Sequence, residues 1–146
     1  WVPCAEVVAG EDAAFELVFS GSMDLNTTVI LEDFSPPPNQ DCSSVRGETN
    51  IRYEQSNRIE IQVESQAPGW LVLSDVWYPG WQAKIDGEPT EIYHANYLFR
   101  AVEVPPGEHV VNFVYRPIWF MVGSIISLIT CIGFAIVIIL RKQKSS

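Results

Sequence analysis

Arg58 to Pro117 reads RIEIQVESQAPGWLVLSDVWYPGWQAKIDGEPTEIYHANYLFRAVEVPPGEHVVNFVYRP, and its punctuation decides the fold. Ile59, Ile61 and Val63 alternate with Arg58, Glu60, Gln62 and Glu64, the period of a strand with one buried face. Ala67-Pro68-Gly69 ends that run. Trp70 to Trp77 (WLVLSDVW) is nearly continuous apolar, which predicts a strand buried on both faces. After the turn Tyr78-Pro79-Gly80, Trp81, Ala83 and Ile85 alternate with Gln82 and Lys84. Asp86-Gly87 is a strong hairpin signal, and a two-residue turn with positive φ at Gly87 is expected. Thr90 to Tyr93 is expected to pair back across it. Tyr97 to Val104 and His109 to Tyr115 read as two more strands around Pro105-Pro106-Gly107. Turn signals at intervals of about 8–12 residues, with no helical period between them, predict an antiparallel β-sandwich.

The first half is less regular. Trp1 to Val8 suits an edge strand, Thr27 to Glu32 a strand, and Asn50 to Glu54 a strand turning at Ser56-Asn57. Glu11 to Phe19 has helix formers, an acidic first turn and Gly21 beyond it, so a short helix is expected. The alternation of Phe15, Leu17 and Phe19 leaves a strand open. Phe34 to Gly47, with Pro36-Pro37-Pro38, reads as a loop. Cys4 and Cys42 are candidates for a disulfide that would pin this loop to the first strand and add about 3–4 kcal/mol. Two unpaired thiols are the alternative.

Beyond Pro117 the chemistry changes. Ile118 to Leu140 (IWFMVGSIISLITCIGFAIVIIL) has no charged residue. At 1.5 Å per residue it spans roughly 34 Å, enough for a hydrocarbon core of about 30 Å. Pro117 suits a helix start, and Trp119 an interfacial position. Arg141, Lys142 and Lys144 follow, and the positive-inside rule places that end in the cytoplasm and the front outside. All 18 carboxylates and six of the nine cations lie up to Arg116, which leaves −12 there and +3 in the tail. Three parts are expected: an extracytoplasmic acidic domain over 1–116, a transmembrane helix over 117–140 and a basic cytoplasmic tail over 141–146. Export of the domain calls for an upstream signal or helix, and the first residue, Trp1, suggests a processed or partial chain. Gly123, Ser127, Cys131 and Ala135 recur every fourth residue, a small-residue stripe that suits packing against other transmembrane helices. Chance is the bland reading of that stripe.

This division excludes a soluble cytoplasmic enzyme, and a surface at −12 repels nucleic acid. No nucleophile elbow, zincin helix, Cys-x-x-Cys or phosphate-binding glycine loop occurs, so no catalytic residue and no metal ligand is assigned. His94 reads as a solvated loop histidine. Asp75, inside an apolar run, is the oddest carboxylate, suited to a polar seam or a turn. Trp77, Tyr78, Trp81 and Tyr93 are candidates for stacking on a sugar, although aromatics of this kind more often belong to a core. Asn26-Thr27-Thr28 matches a glycosylation sequon.

Leu71 to Pro117, followed at once by an apolar helix and a basic tail, resembles the C-terminal end of the bacterial YfhO-type membrane proteins. The resemblance rests on Tyr78-Pro79-Gly80-Trp81, Asp86-Gly87, Asn96 to Arg100, Pro106-Gly107-Glu108-His109 and Tyr115-Arg116-Pro117, in this order and spacing. It implies a polytopic parent whose N-terminal bundle resembles the lipid-linked-sugar glycosyltransferases of the C superfamily. Such a parent would glycosylate cell-envelope polymers from a donor sugar on undecaprenyl phosphate. It would have its acidic catalytic residues upstream of this chain. The implied partners are the lipid bilayer, the parent's other transmembrane helices, and a glycan or lipid-linked sugar. The pair Cys4 and Cys42 departs from the family pattern. A different class of reading is a single-pass, surface-anchored adhesion or carbohydrate-binding module. The sequence upstream of Trp1 would discriminate the two.

Overall fold

The computed structural model describes residues 1–32, 42 and 46–144, with the side chains of 137, 141, 142 and 144 left aside. Most of the expected proline-rich loop therefore lies outside the described residues. The chain divides into two compact units, Trp1–Arg116 and Pro117–Ser146.

In the first unit the order is β1 (Cys4–Val8), α1 (Glu11–Phe19), β2 (Thr28–Glu32), β3 (Glu48–Gln55), β4 (Arg58–Ser65), β5 (Gly69–Leu73), β6 (Trp81–Ile85), β7 (Glu88–Thr90), β8 (Tyr93–Ala95), β9 (Phe99–Val104) and β10 (Gly107–Tyr115). Two five-stranded sheets result, ordered β1-β2-β8-β9-β5 and β3-β4-β10-β6-β7. The fold is mainly β, as the turn spacing predicts. All pairings are antiparallel except β1 with β2, which the helix α1 connects as a crossover.

The alternation in β4 works as the sequence implies. Ile59, Ile61 and Val63 turn inward with Val111 and Phe113 of β10 and Ala83 of β6, and meet Leu71, Val102 and Val104 of the other sheet. Val63, Val111 and Phe113 have no exposed surface, and each such side chain contributes about 1.5–3 kcal/mol. Phe113→Ala is the single change that would damage this layer most, at about 3–5 kcal/mol. The opposite face of the first sheet is also buried. Trp70, Ala95, Ala101, Val29, Leu31 and Val2 form a second cluster there. Val2 and Trp70 exchange both backbone hydrogen bonds, at 2.9 and 2.8 Å, so the two edges of that sheet meet. Gly69 permits this closure, since a Cβ there would lie 2.7 Å from the Val2 carbonyl oxygen.

Three strand boundaries differ from expectation. The run WLVLSDVW leaves the sheet after Leu73, because Asp75 and Val76 are drawn to Arg100 instead. The residues expected to return from the Asp86-Gly87 hairpin are shared between two sheets. Glu88–Thr90 pairs with β6, where Pro89 is tolerated on an edge, and Tyr93–Ala95 joins the other sheet. The strand expected from Tyr97 begins at Phe99, because Asn96 and Tyr97 adopt φ of 49° and 72°. Asn96 suits that conformation, and it also replaces a strand neighbour: its Oδ1 accepts from Ile30 N and its N–H donates to Ile30 O, both at 2.8 Å. Gly87 adopts the expected positive φ, 93°, and Asp86 joins it in the left-handed region at 51°.

The second unit is α2, Ile118–Lys144. Its 23-residue Ile118–Leu140 stretch reaches a mean hydropathy of 2.7 over 18 residues and is long and apolar enough to cross a bilayer.

Candidate functional site

β5 stops at Leu73, and the chain then folds over the end of the sandwich. Trp77 N donates to Leu98 O at 2.8 Å, which holds the connecting segment beside β9. Arg100 of β9 points into the core and has no exposed surface. Its Nη2 lies 2.7 Å from Asp75 Oδ2, its Nη1 donates to Val76 O at 3.0 Å, and its guanidinium sits 3.8 Å from the Trp81 ring centre. Phe113 flanks it at 5.6 Å. Burial lowers the Arg100 pKa, and Asp75 opposes that shift through its charge and its hydrogen bond. The oddly placed Asp75 is thus the counter-ion of a buried arginine.

The four aromatic candidates do not form one platform. Trp81 has Arg100 beside its ring and Tyr115 5.4 Å away, and Tyr78 approaches the same Tyr115 at 6.3 Å. Trp77 stacks edge-on against His94 with centroids 3.9 Å apart. Tyr93 instead packs on Trp70 at 5.4 Å and donates to Glu91 Oε2 at 3.0 Å. Burial, with the Glu91 hydrogen bond and charge, pushes the Tyr93 hydroxyl up to about 12. Of the four, Tyr78 alone is exposed. His94 is not a solvated loop residue: it lies in β8, between Trp77 and Glu32, whose Oε2 is 3.6 Å from its Nδ1. The nearness of the ring to Trp77 comes from pairing between distant segments and has no local sequence signal.

A second polar pair sits at the hairpin. His109 Nδ1 is 2.6 Å from Asp86 Oδ2, and Val110 N donates to Asp86 Oδ1 at 2.8 Å. The His109 hydrogen bond, then that of Val110, lowers Asp86; the Asp86 hydrogen bond raises His109 against the opposing effect of burial. Cys4 and Cys42 are joined by a disulfide with Cα atoms 5.3 Å apart. Among the described residues no group of three or more His, Cys, Asp or Glu side chains could hold a metal ion. On α2, Gly123, Ser127, Cys131 and Ala135 are all exposed, and a groove of ≈ 660 Å³ runs over the first three between Trp119, Phe120 and Leu128.

Residues 41–127 match the family described as "Bacterial membrane protein YfhO". The chain belongs to the YfhO family. Its YfhO segment runs from Asp41 to Ser127, so it contains the Arg100 cluster, the Asp86-Gly87 hairpin and the start of α2. It leaves β1, α1 and β2 outside. A curated relative, the "Uncharacterized protein YfhO" of Bacillus subtilis (strain 168), is 28 % identical over 90 residues, which is 62 % of this chain and 10 % of the relative. The chain thus spans about a tenth of that YfhO relative's length. No solved structure matches it.

Proposed function

We propose that this chain is the C-terminal extracytoplasmic accessory domain and last membrane helix of a polytopic, lipid-linked-sugar glycosyltransferase-like protein acting on cell-envelope polymers. The observation that carries the sidedness is the Cys4–Cys42 disulfide in a domain that ends one residue before an apolar helix. Disulfides persist on the oxidising, outer side of a membrane. The bond closes a separation of 38 residues and contributes about 4 kcal/mol by chain entropy. Arg141, Lys142 and Lys144 at the far end of the helix support a cytoplasmic tail. Membership of a membrane-protein family supports a place in the bilayer, and the class of reaction is what the sequence resemblance implies. The sandwich would then shape a donor or acceptor groove rather than perform the chemistry.

Two measurements test this. In intact cells an impermeant thiol reagent should label Gly87→Cys and spare Ser145→Cys; the reverse pattern overturns the topology. Full-length protein in proteoliposomes should transfer sugar from an undecaprenyl-phosphate donor, and this chain alone should not. No transfer by the full-length protein, or transfer by this chain alone, overturns the enzymatic reading.

A further inference from the structure

The outer face of the second sheet holds a cavity of ≈ 570 Å³ that no local motif marks. Because alternate residues of β4, β10 and β6 point into the core, their neighbours share the opposite face. Register aligns Arg58, Val114 and Gln82 in one row across it, and Glu60, Asn112 and Lys84 in the next. Arg58, Lys84 and Arg116 all line the cavity, half of the six cations found up to Arg116. Arg58 is held in place: its Nη2 is 3.2 Å from Glu60 Oε2 and donates to Asn112 Oδ1 at 3.4 Å, while its guanidinium lies 5.4 Å from the Tyr53 ring centre. Lys84 and Arg116 are exposed, and the ion pairs among the described residues involve neither of them.

Of the six cations up to Arg116, the ion pairs among the described residues involve only Arg58 and Arg100, so what marks this face is the clustering of cations rather than their being unpaired. Here three gather against the single carboxylate Glu60, which leaves a local excess of +2. The −12 of the whole unit acts weakly at this spot, because charges beyond about 8 Å are largely screened at physiological salt. Asn112 accepts from Arg58 through its oxygen, so its amide hydrogens are left to donate into the cavity. Gln82 adds a second amide. Several N–H donors and two unpaired cations on one concave face match a group with several anionic oxygens.

We propose that this face binds a phosphate ester, with Lys84 and Arg116 contacting its anionic oxygens and Asn112 and Gln82 donating amide hydrogens. The same chemistry is carried by soluble phosphate esters and by phospholipid headgroups. The site does not depend on the glycosyltransferase reading, since binding is measured without turnover.

The test is a titration of the isotope-labelled 146-residue chain in an uncharged polyoxyethylene-ether detergent, followed by amide chemical shifts. Glycerol 3-phosphate is the soluble probe. Glycerol, and sodium chloride at matched ionic strength, are the controls. Amides of Gln82, Lys84 and Asn112 should shift with glycerol 3-phosphate and stay still with both controls. Lys84→Gln and Arg116→Gln should each weaken binding about tenfold, the effect of losing one charge-assisted hydrogen bond. Arg46→Gln makes the same change in net charge outside the cavity and should leave binding unchanged. A second arm compares nanodiscs of phosphatidylcholine with and without phosphatidylglycerol. The same amides shifting there supports the site with a lipid headgroup as its source, and a response confined to the soluble arm supports it with a soluble ester. No shift in either arm, shifts reproduced by sodium chloride, or equal weakening by Arg46→Gln and Lys84→Gln overturns the proposal.

Discussion

Arg100 places its guanidinium 3.8 Å from the centre of the Trp81 ring, across the gap between the two sheets and out of reach of solvent. A buried charge needs compensation, and here it has three sources: the Trp81 face, the Val76 carbonyl and the Asp75 carboxylate. They are not equal. Asp75 is 53 % exposed, so water screens its share. The stack on Trp81 lies inside and, like the bond to Val76 O, depends on the planar fork. Arg100→Lys should therefore lower stability by about 1–3 kcal/mol, since one ammonium cannot stack, reach Val76 O and pair with Asp75 together. Asp75→Asn should cost under about 1 kcal/mol. Denaturant midpoints of the two variants decide it. Equal losses would mean that the ion pair, not the stack, holds the segment after β5.

The hairpin turn offers a cleaner test of backbone conformation. Gly87 has a φ of 93°, and a Cβ built on it would meet nothing within 4 Å. Any cost of substitution is then conformational rather than steric crowding by neighbours. Gly87→Val should destabilise by about 1–3 kcal/mol, because β-branched residues fit this region poorly. Gly87→Asn should lose less than half as much, since Asn tolerates left-handed backbone. A valine variant with an unchanged midpoint would show that the turn adopts another conformation in solution.

Much of this architecture is legible in the residues, and the failures share one cause. Ile59, Ile61 and Val63 announce a half-buried strand because burial and period are both local. Asp86-Gly87 announces a turn because φ is a property of the residues themselves. Glu11–Phe19 announces a helix through its composition, although its start at Gly10 has no side-chain cap and relies on Glu11 and Asp12 in the first turn. What escapes is anything decided by distant partners. Asp75 ends a strand only because Arg100, 25 residues later, needs it. His94 is partly covered by Trp77 and Glu32. The cationic face combines Arg58, Lys84 and Arg116, which become neighbours only through the register of β4, β10 and β6.

The pair of Asp86 and His109 predicts a pH dependence. Asp86 is lowered, so its share of stability is full above its ordinary 3.8 and is lost as pH falls through the lower folded value. His109 is raised, so its share is full below its ordinary 6.5 and is lost as pH rises through the higher folded value. Their joint contribution is greatest between 3.8 and 6.5. Because Asp86 is 49 % exposed, screening holds it below about 1 kcal/mol. His109→Gln should remove the decline on the alkaline side and leave the Val110 N–H to keep Asp86 low. Midpoints measured at pH 5 and pH 8 on both proteins check this: a wild-type decline that persists in the variant would place the titrating group elsewhere.

The helix carries the last prediction. Gly123, Ser127, Cys131 and Ala135 fall every four residues, so successive members rotate by about 40° and wind slowly round α2. All four are exposed, and no atom beyond its own backbone surroundings lies within 4 Å of a Cβ built on Gly123. Leucine at these positions would therefore fit this chain without a clash. It would collide only with a helix that the chain meets in a larger bundle, where small residues permit close approach. If the parent is polytopic, Gly123→Leu and Ser127→Leu should lower the yield of the full-length protein several-fold, as a loss of about 1–2 kcal/mol does. Ile126→Leu and Ile136→Leu should leave it unchanged, because they keep volume and apolarity. Detergent-extracted yield, compared across the four variants, gives the answer. Full tolerance of leucine at both Gly123 and Ser127 would mean that this face meets lipid, and would favour a single anchoring helix over a packed one.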